Sequence, residues 1–468
     1  MSDTTASHRG AGMHAGATRS DSLASGDGLL MRTPPAVWTF VLVLLAVAAF
    51  LRFYGLDRYP LPAHRDELSN AYDSWALLET GADRSGNAKP SVVRALGDSD
   101  YRPALYMWLS AIPIRLAGFS VAAARVTSTI FGMASLLLLF LLARRLAGNG
   151  YALLALAFGV LSPWHITMSR LALEGATLPL FFLVLALLLW HVAATRRRYP
   201  LPLMATLGLT LGVAANTYHA PRLVAPIVVL FIAIDVIRHR PRPVLPLVAL
   251  GAAALAGALP QILFLVTDPA HFFGRAGDVV IRADNPFRFV WTMVSNLAAN
   301  FAPRYLFSPN MLNVGMTSAR LLPVEIVFLY AGLLTMWKMH FAGPRDFRFW
   351  LYAILLVCMI PAVLTRDLST MRTSISVILL PLFSAAGVVM IGHAAEKIGI
   401  APRLYTAGAA AGIVLSFSFV AYMYLFSGTA NGHRSSYALT QATQKLRAYG
   451  NRHDRVFVEN DTLIHSEM

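Results

Sequence analysis

Long apolar runs separated by short polar segments make up most of this chain. Each run holds roughly 17 to 25 residues, enough for a helix to cross a hydrocarbon core of about 30 Å. A membrane barrel would show short alternating segments instead. The pattern therefore predicts spanning helices near residues 36–54, 124–146, 150–166, 172–194, 200–217, 222–238, 244–266, 322–340, 347–364, 372–393 and 404–427.

Composition agrees with this interpretation. Of the 468 residues, 56% are hydrophobic and 13% are charged, whereas soluble domains carry about 25% charged residues. The predicted fold class is an all-α polytopic membrane protein with about eleven spanning helices. The single cysteine, Cys358, lies inside an apolar run, so neither a disulfide framework nor a thiolate metal cluster is predicted.

The net charge of +15 is better explained by the orientation of the chain in a membrane than by binding to nucleic acid. Basic residues occur in short clusters between apolar runs, as the positive-inside rule describes for cytoplasmic loops. Segment 102–118 is apolar but is interrupted by Pro113 and Arg115, so it is interpreted as interfacial. Counting it as a span would put the later basic clusters on the side opposite the N-terminal tail.

This topology divides the chain into three parts in an inner (plasma) membrane. A disordered cytoplasmic tail is predicted for 1–34 and a transmembrane domain for 35–427. Within that domain, 55–123 and 267–321 are expected to face the extracytoplasmic side. A short C-terminal tail, 428–468, follows on the same side.

The most polar stretch close behind the first apolar run is "LPAHRDELSNAYDSW", residues 61–75. Helical spacing places Leu68, Ala71, Tyr72 and Trp75 on one face and Asp66, Asn70 and Asp73 on the opposite face. An amphipathic helix at the membrane surface is therefore predicted from Asp66 to Thr80. Its first turn carries Asp66 and Glu67, which could act chemically or could merely cap the helix and satisfy its dipole.

Further polar residues occur at the other corners predicted to face outward. Ionisable groups there are either membrane anchors or functional residues. The polar residues at these corners are Arg170 and Glu174 in "SPWHITMSRLALEGATLPLF", Tyr218, His219 and Arg222 in "NTYHAPRLVAP", and Arg366, Asp367 and Arg372 in "LTRDLSTMRTS".

In order and spacing, these segments resemble the GT-C glycosyltransferases, specifically the bacterial group that includes protein O-mannosyltransferases and the lipid A aminoarabinose transferase. The matching stretches are "HRDELSNAYDSWALLETG", "YRPALYMWLSAIPIRLAG", the run from "AARVTSTIFG" to "LEGATLPLF", "TYHAPRLVAP" and "TMRTSISVILLPLFSAAG". The chain departs from this group in having Glu174 where Asp is usual, and Thr370 and Met371 where His is often found. The large soluble C-terminal domain of some members is not expected here.

The resemblance implies transfer of a sugar from a polyprenyl-phosphate carrier to an acceptor hydroxyl on the extracytoplasmic face. By analogy, Asp66 is the catalytic base. Arg222 and Arg372 are expected to bind phosphate, since guanidinium groups pair with its oxygens. The remaining expected substrate-binding residues are Glu67, Arg170, Glu174, Tyr218, His219 and Arg366, and Trp164 and His165 could line the sugar pocket.

Several alternatives stay open at this level. The chain could be a transporter or flippase for a lipid-linked or anionic solute, which would require charges near the bilayer midplane and broken helices. It could also be a scaffold, or a polymerase or ligase of surface glycan. No cofactor is certain, a divalent metal is possible, and the acceptor could be a protein, a lipid or a glycan. Nucleic acid is not an expected partner.

Overall fold

The computed structural model describes residues 34–58, 64–96, 100–195, 199–308, 319–342 and 347–422. Within these ranges the chain is almost entirely helical, with one small hairpin. The helices at the start of the chain are α1 (Pro35–Phe53), α2 (Arg65–Thr80) and α3 (Leu105–Ala117); strands β1 (Val92–Arg94) and β2 (Tyr101–Pro103) lie between α2 and α3.

The remaining helices carry most of the apolar sequence. They are α4 (Val121–Leu161), α5 (Pro163–Ser169), α6 (Leu178–Thr195), α7 (Leu201–Ala214), α8 (His219–His239), α9 (Val244–Thr267), α10 (Pro269–Val279), α11 (Pro286–Asn300), α12 (Pro303–Phe307), α13 (Glu325–Thr335), α14 (Phe347–Val363), α15 (Leu380–Lys397) and α16 (Pro402–Tyr422). Two 3-10 turns, Met336–Lys338 and Ser374–Ser376, extend α13 and precede α15.

The predicted fold class, a polytopic membrane protein, is confirmed. Among the described residues, six helical stretches are long and apolar enough to cross a membrane, and three shorter apolar helices accompany them. The longest stretch, α4, contains a break at Ala147 and Gly148, where Gly148 has φ +81°. Only glycine adopts such a backbone cheaply, so α4 comprises two helices that correspond to the separate runs predicted for 124–146 and 150–166.

Helices in this bundle approach closely where small residues meet. Gly332 of α13 faces the backbone of Phe383, and Gly387 of α15 faces the backbone of Phe328, in each case with no room for a Cβ atom. Small residues at helix crossings are the usual means of packing helices inside a membrane. Ser384 of α15 donates to Glu325 of α13 across the same contact, 2.7 Å between Oγ and Oε2.

The elements of 64–117 form a small layer at one end of the bundle, called here the α2 end. Helix α2 packs on α3, and both contact α4. The hairpin pairs Val93 with Arg102, and both residues are buried. Segment 102–118, predicted to be interfacial, contains a helix of only 13 residues, too short to span a bilayer alone.

Helix α2 matches its prediction closely. It covers Arg65–Thr80, against a predicted start at Asp66. Its apolar face is turned outward, with Leu68, Tyr72 and Trp75 exposed, as expected for contact with lipid. Ala71 departs from the prediction because it is buried beside α3. The predicted tail 428–468 and all of the predicted tail 1–34 except Pro34 lie outside the described residues.

Candidate functional site

The beginning of α2 explains the local roles of its acidic pair. His64 is the N-cap residue: its ring accepts a hydrogen bond from the backbone N–H of Asp66, 3.2 Å, while Glu67 Oε2 accepts from the backbone N–H of His64, 3.0 Å. This reciprocal arrangement is a capping box. Helix capping therefore accounts for the position of Glu67, whereas the Asp66 carboxylate remains directed elsewhere.

Glu67 is enclosed by partners from the protein itself. Its carboxylate receives a two-point contact from Arg125 of α4, with Nε to Oε1 at 2.8 Å and Nη2 to Oε2 at 2.9 Å. The backbone N–H of Ala172 donates to Oε1 at 2.8 Å. The side chain is 1% exposed, so these contacts tie α2 to α4 and to the turn before α6. Glu67 therefore has no exposed surface through which it could make the predicted contact with a substrate.

Asp66 has a different environment, although it is the adjacent residue. Its side chain is 28% exposed, and Oδ1 lies 3.0 Å from Arg102 Nη2. His64 Nδ1 lies 3.4 Å from its other oxygen. Burial alone would raise the pKa of Asp66, but Arg102, with His64 adding to it, holds the pKa below its ordinary value. Asp66 is therefore an ionised carboxylate with one side open.

Arg102 is the centre of a polar group at the α2 end, called here the Asp66 cluster and composed of Asp66, Asn70, Asp100, Arg102 and Glu174. Arg102 contacts Asp100 Oδ2 at 2.7 Å through Nη2 and Asn70 Oδ1 at 3.3 Å through Nη1. Its Nε lies 3.8 Å from Glu174 Oε1. Burial would lower the pKa of Arg102, but the three surrounding carboxylates raise it.

Glu174 closes the inner side of the Asp66 cluster. It lies in the turn between α5 and α6 and is 5% exposed. Asn70 Nδ2 donates to its Oε2 at 2.8 Å and also to the backbone carbonyl of Ala172 at 3.0 Å. Burial raises the pKa of Glu174 above its ordinary value despite the opposing influence of Arg102 and Asn70. Asp66 and Glu174 thus have pKa values shifted in opposite directions within one cluster.

The corner before α8 borders this cluster. The ring of Tyr218 packs so closely on Gly175 that a Cβ there would lie 2.9 Å from the ring. Burial raises the pKa of Tyr218 to about 12, with Glu174 adding to the effect. His219 Nε2 lies 3.9 Å from Asp100 Oδ1 and has no hydrogen-bond partner.

Arg222, one turn further along α8, is a largely buried cation without an acidic partner among the described residues. Its Cζ lies 4.7 Å from the ring centroid of Phe272, and Nη1 makes a long contact of 3.5 Å with the carbonyl of that residue. Nε and Nη2 are buried without a hydrogen-bond partner. Unsatisfied guanidinium donors are suited to an incoming anion.

Two further predicted arginines lie on the segment before α15. Arg372 donates to the carbonyl of Asp367 at 3.2 Å, and it is close enough to Tyr218 to oppose the rise in the pKa of that phenol. Arg366 instead donates to the carbonyl of Val280 at 3.1 Å, where an isolated bridge joins Val280 to Thr365. The structure brings Arg372 toward the site and places Arg366 at the contact with α10.

Three predicted residues are engaged in the bundle instead. Arg170 donates to the backbone carbonyls of Leu51, Tyr54 and Gly55 at 2.7 to 2.9 Å, which satisfies the end of α1. His165 is buried between Arg52 and Ser135, at 3.0 and 3.1 Å. Trp164 is 1% exposed.

The sequence interpretation missed Asp100 and Arg102, the two residues that complete the Asp66 cluster. A signal was present in "DSDYRPA", because alternate residues of an extended strand point to the same side. It was too short to distinguish from a turn. Within the described residues, no group of three or more His, Cys, Asp or Glu side chains is arranged to hold a metal ion, and the possible divalent metal remains a prediction.

Comparisons with known proteins bear on the family and the fold. A sequence model of the dolichyl-phosphate-mannose-protein mannosyltransferase family matches residues 101–264. The structure of ArnT from Cupriavidus metallidurans in the apo state aligns with a TM-score of 0.51 and 16% identity, over 83% of this chain and 72% of that one. No curated protein matches the chain in a sequence comparison.

Two other solved structures are similar at a lower score. ArnT from Cupriavidus metallidurans bound to undecaprenyl phosphate aligns with a TM-score of 0.49 and 16% identity, over 84% of this chain and 73% of that one. The oligosaccharyltransferase of Archaeoglobus fulgidus in the apo form aligns with a TM-score of 0.49 and 14% identity, over 85% and 57%. The resemblance to GT-C glycosyltransferases inferred from the sequence is confirmed by the family match and the ArnT fold.

Proposed function

We propose that this protein is an integral membrane glycosyltransferase that moves a sugar from a polyprenyl-phosphate donor to an acceptor hydroxyl on the extracytoplasmic face. The observation that carries the proposal is Asp66, an ionised and partly open carboxylate held at the start of a membrane-surface helix by Arg102. A base for an incoming hydroxyl needs both the charge and the access. Glu67, its neighbour, has neither open surface nor an unused oxygen.

The phosphate of the donor would bind on the side of Arg222 and Arg372. Arg222 has two buried N–H groups without a partner, and His219 adds a third unpaired nitrogen. A guanidinium can contact two phosphate oxygens at once. One ArnT structure contains undecaprenyl phosphate, which supports a carrier lipid of this chemical class for the present chain.

The proposed reaction uses Asp66 as the base and the two arginines as the groups that bind phosphate. Asp66 takes the proton of the acceptor hydroxyl as its oxygen attacks the anomeric carbon. The bond between that carbon and the phosphate oxygen breaks, and the electron pair leaves with the polyprenyl phosphate, whose negative charge the arginines stabilise. Attack opposite the leaving group inverts the anomeric configuration. Retention would require a second carboxylate acting as nucleophile from the opposite side of the sugar.

Mass spectrometry of surface glycans, glycoproteins and lipids tests the function. Cells with the wild-type protein, cells without it and cells with Asp66→Asn are compared. The expected result is one sugar modification present only with wild-type protein, which identifies sugar and acceptor together. An identical set of glycans, glycoproteins and lipids in all three strains would overturn the proposal.

Sidedness needs a separate test. Arg196→Cys and Arg238→Cys each place a thiol at a position predicted to be on the cytoplasmic side. The expected result is no labelling by a membrane-impermeant thiol reagent in intact cells and full labelling after permeabilisation. Labelling of intact cells would reverse the proposed orientation and place the Asp66 cluster in the cytoplasm.

A further inference from the structure

Arg102 and Arg125 each contact one carboxylate of the acidic pair, but with different parts of the guanidinium. Arg125 turns the edge formed by Nε and Nη2 toward Glu67 and contacts both of its oxygens, at 2.8 and 2.9 Å. Arg102 places the same edge on Asp100, whose Oδ2 accepts from Nε at 3.1 Å and from Nη2 at 2.7 Å. Asp66 receives only one contact from Arg102, between Nη2 and Oδ1 at 3.0 Å.

Asp100 is itself fixed in a position that holds this orientation of the guanidinium. It directly precedes β2, its side chain is 12% exposed, and its carbonyl accepts from the N–H of Ala95 at 2.8 Å. On the other edge of Arg102, Nη1 contacts Asn70 Oδ1 at 3.3 Å. Turning the Nε and Nη2 edge toward Asp66 would therefore break both contacts with Asp100.

A two-point contact with Arg102 would change the chemistry of Asp66. Each hydrogen bond donated to a carboxylate stabilises its ionised form, and a more stable carboxylate is a weaker base. Asp66 would then resemble Glu67, whose two oxygens are both engaged by an arginine. In the observed arrangement, Oδ2 of Asp66 lies outside the contact with Arg102.

We propose that Asp100 is a positioning residue that binds the Nε and Nη2 edge of Arg102, limits this arginine to one contact with Asp66 and so keeps Asp66 available as a base. The inference rests on the proposed role of Asp66 as the base. Arg125 of α4 contacts Glu67 instead. The other charged or titratable groups around Asp66 are His64 and Arg65 on α2, Glu174 in the turn before α6 and His219 at the start of α8.

The pH dependence of stability tests this role without an activity assay. The free energy of unfolding of the full-length protein in detergent is compared with that of Asp66→Asn, in the presence and absence of Asp100→Asn. The contribution of Asp66 is present above its unfolded pKa and is lost as pH falls through its folded pKa. Asp100→Asn should lower that folded pKa further, so the loss should move to lower pH. An unshifted loss, or a shift to higher pH, would overturn the proposal.

Asp284→Asn is the matched control, because Asp284 is an exposed carboxylate that pairs with Arg288 at 2.9 Å outside the Asp66 cluster. It removes the same charge and should leave the loss at its wild-type pH. Equal shifts for Asp100→Asn and Asp284→Asn would overturn the proposal, since they would reflect the net charge rather than the position of Arg102.

Sugar transfer gives a second measurement. For Asp100→Asn, the acidic limb of the pH profile of kcat/KM should move to lower pH. The rate at neutral pH should fall by less than the loss of about 10²- to 10⁴-fold expected for Asp66→Asn. A purely structural role of Asp100 would lower the amount of folded protein without moving the limb. Full transfer by Asp66→Asn would overturn the proposed function, whereas an unshifted limb in Asp100→Asn would overturn only the role of Asp100.

A double variant covers the case in which Asp100→Asn does not fold. Combining it with Arg102→Gln leaves no buried arginine without its partner. Because Asp100 then has no guanidinium to position, the double variant should lose the contribution of Asp66 at the same pH as Arg102→Gln alone. A further shift to lower pH would contradict the proposal, because Asp100 would then act on Asp66 directly.

Discussion

Asp66 and Glu67 are adjacent carboxylates in one helical turn, and the structure gives them opposite surroundings. Glu67 contacts Arg125, Ala172 and His64 and is shut off from solvent. Asp66 has Arg102 and His64 on one side and open space on the other. Two adjacent acids at the start of a helix can therefore have different roles, one holding the fold together and the other remaining available for chemistry.

Loss of the Asp66 charge should have the largest effect. Asp66→Asn keeps the size of the side chain but cannot accept a proton at neutral pH, so sugar transfer should fall by about 10²- to 10⁴-fold. Transfer from a lipid-linked donor in purified membranes is the measurement. Asp57→Asn, at an exposed carboxylate close to the end of α1, is the control and should retain full transfer. Sugar transfer by Asp66→Asn at the wild-type rate would contradict the proposed mechanism.

Loss of the Glu67 charge should affect stability instead. Glu67→Gln removes the negative charge and one of the two acceptor oxygens that the buried Arg125 contacts. This loss should lower the free energy of unfolding by about 3–5 kcal/mol. Thermal unfolding in detergent checks this, with the exposed Glu79→Gln of the same helix as the control. Transfer per folded molecule should be maintained. A variant of normal stability that cannot transfer sugar would show that Glu67 contacts the substrate after all.

Loss of the Arg222 charge should weaken binding of the donor phosphate. Arg222→Gln removes the guanidinium expected to bind the donor phosphate, so the KM for the donor should rise by about 10- to 150-fold, equivalent to about 1.5–3 kcal/mol for a hydrogen bond to a charged group. Kinetics at several donor concentrations measure this rise. Arg288→Gln, at an exposed arginine of α11, is the control and should leave the KM for the donor unchanged. A KM equal to that of the wild type would place the phosphate elsewhere.

The smallest predicted effect concerns pH, where Asp66 and Glu174 should behave oppositely. The folded pKa of Asp66 is lowered, so its contribution to stability is present above its unfolded pKa and is lost as pH falls through the folded value. The folded pKa of Glu174 is raised, so its contribution is present at low pH and is lost as pH rises through the folded value.

Unfolding of the wild type, Asp66→Asn and Glu174→Gln from acidic to neutral pH compares the two. The stability difference between the wild type and Asp66→Asn should shrink as pH falls. As pH rises, the wild type should lose stability relative to Glu174→Gln. The same sign for both variants would contradict the assigned environments, because it would mean that both carboxyl groups gain or lose protons together on folding.

Much of the architecture could be predicted from local sequence. Apolar runs and the charge pattern predicted the polytopic helical fold, and the helix that carries Asp66 was predicted to within one residue of its observed start. Its exposed face was also predicted, apart from Ala71. Such features depend on residues within a few positions of each other, because helical periodicity and capping are local. The order of polar corners was enough to identify the resemblance to GT-C glycosyltransferases.

The site itself was only partly predictable. Asp66, Glu174, Tyr218, His219, Arg222 and Arg372 were selected, and the structure brings most of them to the α2 end. Asp100 and Arg102 were missed because a short hairpin, weakly marked in the sequence, delivers them. Arg170, His165 and Arg366 were selected for their charge or type, and their observed partners are backbone carbonyls or buried side chains rather than open space.

Local sequence was thus enough to predict a polytopic helical fold and the start of an acidic helix. Which of the two acids is enclosed and which is open depends on packing in three dimensions. Arg125 lies 58 positions from Glu67 along the chain, and Arg102 lies 36 positions from Asp66. A carboxylate becomes structural or chemically available according to the cation and the solvent that reach it, and those neighbours are set by packing between distant segments.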